Sequence, residues 1–231
     1  MNPLLKHTLA VAAAVSLAAA LSGCHTPATR DADEQFATGS DRPPTAQTLY
    51  ASGQLLEARG RDDEAFWTYQ RINKDDPKFV PAYCSVAEYH VRHNHLNEAA
   101  SSLKAGLAVA PDDAVLVNNL GMVSMMQADY EQALAHFTRA ASLMPGNARY
   151  RANMAAALGM MGRYDESAAI YEQILSYADA HHNVGTLAQS RGDKDRAKHE
   201  FELEAQGAPP PPPDQAKDAK GAKPAPKPAS K

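Results

Sequence analysis

The sequence predicts an all-α solenoid of stacked helix pairs, and three sets of positions predict it. Pro77, Pro111 and Pro145 stand 34 residues apart. Two columns of small residues keep that interval: Gly53, Ala87, Gly121 and Ala155, then Ala65, Ala99 and Ala133. A column of large residues does the same at Tyr69, Leu103, Phe137 and Tyr171. Independent columns sharing one period mark a repeat in which each unit buries its apolar face only against its neighbours. Roughly nine or ten antiparallel helices, stacked right-handed, are expected between about residues 46 and 205.

The first unit spans about residues 46–79, the second 80–113, the third 114–147 and the fourth 148–177, with a partial fifth over 178–205. Each unit reads as two helices. Where they cross closely both need small side chains, supplied by Gly53 and Ala65 in the first unit and by Gly185 and Ala197 in the fifth. The large column, which ends at Phe201, is expected to fill the space between adjacent units. Gly60, Asn94, Ala128, Gly162 and Gly192 fall at the turn within each unit, where glycine or asparagine tolerates a left-handed backbone. The three prolines close the second helices and set the start of the next unit. The interval breaks once: Ser167 to Ala197, and Tyr171 to Phe201, are 30 residues. The connection ILSYADAHHNVG is therefore expected to be tight, with four residues lost from the loop and the last hairpin tilted. The final helix, KDRAKHEFELEAQ, is strongly charged, as the solvent-facing end of a solenoid must be.

These columns resemble the tetratricopeptide repeat (TPR) family over about 160 residues. The resemblance implies a right-handed TPR solenoid of about four and a half to five helix-turn-helix repeats. It also implies that the first helices line a concave groove where partners bind. The matching side chains run from Gln47, Tyr50, Gln54 and Glu57 through Cys84, Glu88 and Val91 to the third and fourth units. There Met122 and Met125 are soft enough to repack around a hydrophobic peptide, with internal packing as their other use. Asn119, Asn153 and Asn183 share one column, and a carboxamide both donates to a peptide carbonyl and accepts from a peptide amide. The candidate peptide-binding set is Asn118, Asn119, Met122, Met125, Arg149, Asn153 and Asn183. Family members that clamp a C-terminal carboxylate add several cations. Arg149 and Arg151 are present, but the earlier units lack the matching lysines, so that clamp is not expected.

The two ends have a different character. A basic start, the apolar run Leu9–Leu21 and the small residues Ser22 and Gly23 read as a signal peptide over residues 1–23. Thirteen helical residues reach roughly 20 Å, short of a hydrocarbon core of roughly 30 Å. Leu21-Ser22-Gly23-Cys24 resembles the lipobox of bacterial lipoproteins, which implies lipid on the Cys24 sulfur and cleavage before it. Several acyl chains, at about 0.8 kcal/mol per buried CH2, would hold the chain to a membrane. His25 follows, not Asp, and in that family this resembles an outer-membrane address facing the periplasm. Residues 24–45 read as a disordered, lipidated tether, and residues 206–231 as a disordered Pro/Lys-rich tail. The run Pro209–Pro213 favours polyproline II.

Composition narrows the function. The tail carries five lysines against two aspartates, so the net charge of −4 conceals a more acidic body, which argues against nucleic acid as a partner. With Cys24 lipidated, Cys84 has no intramolecular partner for a disulfide and reads as a small buried hydrophobe. His90, His93 and His95 have metal-ligand side chains but read as solvated loop histidines, and adjacent His181 and His182 point to different faces; no metal, cofactor or catalytic residue is expected. Asp62, Asp63 and Glu64 read as helix caps. The stretch NMAAALGMMGRYDESAAIYEQIL followed by HNVGTLAQSRGD resembles Tad-type pilus repeat lipoproteins, which implies a scaffold in pilus or secretion assembly. The expected partners are envelope proteins or extended peptides, with the membrane reached through the lipid. The alternatives are a structural envelope linker whose lysine-rich tail touches anionic cell wall, and an enzyme or metal carrier built on the histidines.

Overall fold

A computed structural model describes residues 43–207 of the chain. The signal peptide, Cys24, nearly all of the tether and the tail from residue 208 lie outside the described residues. Ten helices follow one another: α1 Ala46–Ala58, α2 Asp62–Asp75, α3 Val80–Arg92, α4 Leu96–Val109, α5 Ala114–Met126, α6 Tyr130–Leu143, α7 Ala148–Met160, α8 Tyr164–Tyr171, α9 Tyr177–Arg191 and α10 Lys194–Gln206. They pair as five hairpins, each packed on the next, in an all-α right-handed solenoid. The last helix runs one residue beyond the expected end at 205.

The turn column is explained by backbone geometry. Gly60, Asn94, Ala128, Gly162 and Gly192 all have positive φ, from 59° to 84°. Each bends the chain from the first helix into the second. Helix starts are held by side-chain oxygens of Thr45, Asp113, Asp129, Asn147, Ser176 and Asp193, which accept from first-turn amides. Asp62, Asp63 and Glu64 do not cap. Arg61 occupies the cap position, and the three acids lie in the first turn of α2, where negative charge suits the helix dipole.

The small column has a cause more specific than close helix crossing. A Cβ on Gly121 would stand 2.6 Å from the Phe137 ring, and one on Gly185 2.7 Å from the Phe201 ring. Each ring lies across the glycine of its own hairpin, so the large column fills hairpin interiors as well as the space between units. Where the large residue is Leu103, the small one is Ala87.

The 30-residue interval is taken from a helix, not from the loop. α8 has eight residues, against 14 in α2, α4 and α6, and turns over residues 172–175 lead to the cap Ser176. With α8 shortened, α9 packs as closely on α7 as on α8. The junction is closed by charge. Glu200 is fully buried, and its carboxylate accepts from His181 Nδ1 at 2.5 Å and pairs with Arg196 at 2.6 Å. The other nitrogen of His181 lies 3.2 Å from Glu172, and Arg196 also reaches Asp165 and the face of Tyr164.

Candidate groove on the inner helices

First helices of successive hairpins touch one another: α3 meets α5, α5 meets α7, and α7 meets α9. This contact places them on the inner side of the curve, with the second helices outside. Arg191 and Ser190 of α9 donate to the carbonyl oxygen and the sulfur of Met160 on α7, across the shortened interval. Four other hydrogen bonds between inner helices each join residues 35 apart. Ser85 donates to the Tyr50 hydroxyl, Arg92 to Glu57, Asn119 to the Cys84 sulfur and Asn153 to the Asn118 carbonyl. The repeat is 34, so each of these four joins one position to the following position in the next unit. A sequence scan for polar pairs at the period plus one would have found them.

The candidate residues divide accordingly. Asn118 is buried; its carbonyl accepts from Asn153 at 2.8 Å and its amide donates to Asn119 at 3.4 Å. Asn119 in turn reaches Cys84 at 3.7 Å. These three asparagines make an internal chain across α3, α5 and α7, and a peptide would meet only the polar capacity they have left. Asn183 is half-buried one unit further along, on α9. Met122 and Met125 are half-buried and pack against the cluster of Ala133, Phe137 and Ala157. Arg149 is exposed at the start of α7. Arg151 is half-buried, with its Nε enclosed and without a hydrogen-bond partner.

The N-terminal end of the groove is acidic and aromatic, with Tyr50, Glu57 and Glu88 among the side chains the sequence assigned to it. Glu57 accepts from Tyr69 and Arg92, both at 3.0 Å. Burial, then the nearby Glu57, raises the Glu88 carboxyl above its usual range, with Arg92 opposing. Burial likewise raises the Tyr50 hydroxyl. The groove thus grades from tyrosines and carboxylates in units one and two to methionines in unit three.

The histidines at the second turn are arranged around aromatics. Tyr89 stacks on Phe66 at 4.3 Å and on His93 at 4.1 Å. Ring centres of His90 and His93 lie 6.1 and 6.2 Å from that of His95. Burial lowers the pKa of His90. Among the described residues, no three His, Cys, Asp or Glu side chains converge on a point that could hold a metal ion. Among them too, no helix is long and apolar enough to cross a membrane.

Two models of the tetratricopeptide repeat match overlapping stretches, residues 87–148 and 124–190. The chain has a TPR solenoid fold. Among solved structures, it resembles MamA at 22% identity and a TM-score of 0.55, over 73% of this chain and 96% of that one. It also resembles YrrB, described as a TPR protein with an unusual peptide-binding site, at 21% identity and 0.55, over 77% and 92%. A TPR protein of Parabacteroides merdae gives 18% and 0.60, over 74% and 68%. Among curated proteins, a TPR repeat-containing thioredoxin of Arabidopsis thaliana is 32% identical over 46% of this chain. The chain spans 15% of the length of that relative. What these matches share is the repeat fold.

Proposed function

We propose that this TPR solenoid is a lipid-anchored scaffold, facing the periplasm from the outer membrane, that holds extended segments of cell-envelope proteins along its inner helices. The carrying observation is the graded groove. Tyr50, Glu57 and Glu88 offer acceptors at one end, and Met122 and Met125 offer adaptable apolar surface in the middle. The description of YrrB as peptide-binding supports this use of the fold. The anchor rests on the LSGC motif with Cys24, and the address on His25. The resemblance to Tad-type pilus lipoproteins favours pilus or secretion assembly as the setting.

A photo-reactive residue at Met122 or Met125 should crosslink an envelope protein in cells, whereas one at Ser101, exposed on the outer helix α4, should not. Crosslinks from Ser101 or the tail alone would place the contact elsewhere. Cys24→Ala should abolish palmitate labelling and release the protein from outer-membrane fractions. Labelling that survives the change would refute the anchor.

A further inference from the structure

Among the described residues, the last helix carries an apolar depression on its outer side. In the first four units, Phe66, Ala100, Leu134 and Ala168 mark the side of the second helix that receives the next first helix. Phe66 stacks on Tyr89, and Leu134 packs against the cluster of Ala133, Phe137 and Ala157. The matching side of α10 has no following helix among the described residues. It forms an open trough of about 460 Å³, floored by Ala197, Phe201 and Ala205 and rimmed by Lys194, Lys198 and Glu202.

We propose that the segment Pro209–Asp214 of this same chain docks in the trough as a polyproline II strip, antiparallel to α10, with Asp214 against Lys194 and Lys198. Four observations select this occupant. The chain arrives there: α10 ends at Gln206, and Gly207 is left-handed at φ 70°, ψ −4°, a conformation that turns the chain off the helix axis beside Ala205. The lengths agree. Ala205 to Ala197 is eight helical steps, about 12 Å, and Pro209 to Pro213 is four polyproline steps, also about 12 Å. Proline has no N–H, so rings laid over Phe201 leave no amide donor buried, and a stiff run loses little entropy on docking. The charges also fall in register. An antiparallel strip that starts beside Ala205 brings Asp214 to the end of the trough where Lys194 and Lys198 stand. Lys198 is exposed and only loosely paired with Glu202, at 3.8 Å.

Docking of this segment would cover the apolar side of α10. The inference does not depend on what the groove binds.

The test compares the full chain with a variant in which Pro209 to Pro213 are each replaced by Gly. Amides of Lys198 to Gln206 should exchange about tenfold more slowly in the unmodified chain. Proline Hδ protons should give NOEs to the Phe201 ring, and Asp214→Lys should lose part of the protection, about threefold. Equal exchange in both chains, with no such NOEs, overturns the proposal. Protection and NOEs that vanish on dilution, with a dimeric mass by sedimentation, would make a second copy the occupant and would overturn it equally.

Discussion

The third and fifth hairpins share one contact and differ in everything around it. In each, a ring lies across a glycine at nearly the same distance, Phe137 on Gly121 and Phe201 on Gly185. Phe137 is fully buried, with hairpins on both sides, and its neighbours are Ala133, Ala157 and methionines. Phe201 is half-buried at the end of the stack, and the adjoining core position is Glu200, bonded to His181 and Arg196. Neighbours on both sides stabilise an interior unit through apolar area. A terminal unit with one neighbour replaces the missing area with directed, charged contacts, and it is correspondingly sensitive to losing one of them.

The largest effect that separates the two is expected from Glu200→Ala. The change leaves His181 and Arg196 facing a void without their shared carboxylate, and removing one partner of a buried pair costs about 3–5 kcal/mol. Because units interact only with neighbours, the cost should appear as local opening of α9 and α10. Hydrogen exchange should therefore accelerate there while α5 and α6 stay protected. Uniform acceleration along the chain would mean the terminal hairpin is not a separable unit.

Gly121→Leu should follow. Its Cβ would meet a ring that has nowhere to move, which puts the cost at the upper end of the about 1–3 kcal/mol of overpacking. The distortion should spread to both neighbours and lower the main thermal transition. Gly185→Leu creates the same clash against a ring with an open side, and about 1 kcal/mol or less is expected. If the two variants melt alike, the difference in ring confinement does not govern the cost.

The period and its columns carried most of the fold. All five turn residues with positive φ fall in one column, so the hairpin ends could be read from glycine and asparagine spacing. The small column did not explain itself: Gly121 and Gly185 lie against the rings of Phe137 and Phe201, and that dependence joins two columns. The groove was less legible. Aligning units by 34 compares equivalent positions, whereas the inner-helix bonds run from each position to its successor 35 residues on. Asn119 and Asn153 therefore share a column in the alignment, whereas in space Asn153 is bonded to Asn118. The shortening at 30 residues was visible, but not that a helix lost it, since Tyr171 and Glu172 suit a helix as well as a turn.

A gain in stability should come from Ala128→Gly in the turn of the third hairpin. Ala128 has φ 59°, where a side chain is strained, while the equivalent Gly192 of the fifth hairpin has none. Glycine there should add up to about 1 kcal/mol, less the entropy it gains when unfolded. The reverse change, Gly192→Ala, should cost a similar amount, which bring the two hairpins closer in turn energy. Denaturant midpoints moving in opposite directions, with unchanged slopes, would bear this out; shifts of the same sign would show that turn strain is not what separates them.

The smallest effect concerns a carboxylate without the partners that Glu200 has. Glu88, on the inner face, is pushed up by burial and then by Glu57. The folded chain therefore binds this proton more tightly than the unfolded chain does. Well below the unfolded value both forms are protonated, and Glu88 costs nothing. As pH rises from the unfolded value to the raised folded value, the unfolded form ionises first and stability falls. Above the folded value the full penalty remains. Glu88→Gln should thus raise the melting temperature at neutral pH and leave it nearly unchanged in acid. Glu200→Gln should lower it at neutral pH, because its amide cannot accept from both His181 and Arg196 as a carboxylate does. Thermal melts of both variants across pH would check the pair. A Glu88→Gln gain of equal size at every pH would show that the benefit comes from packing, and that the inner-face carboxylate carries no ionisation penalty.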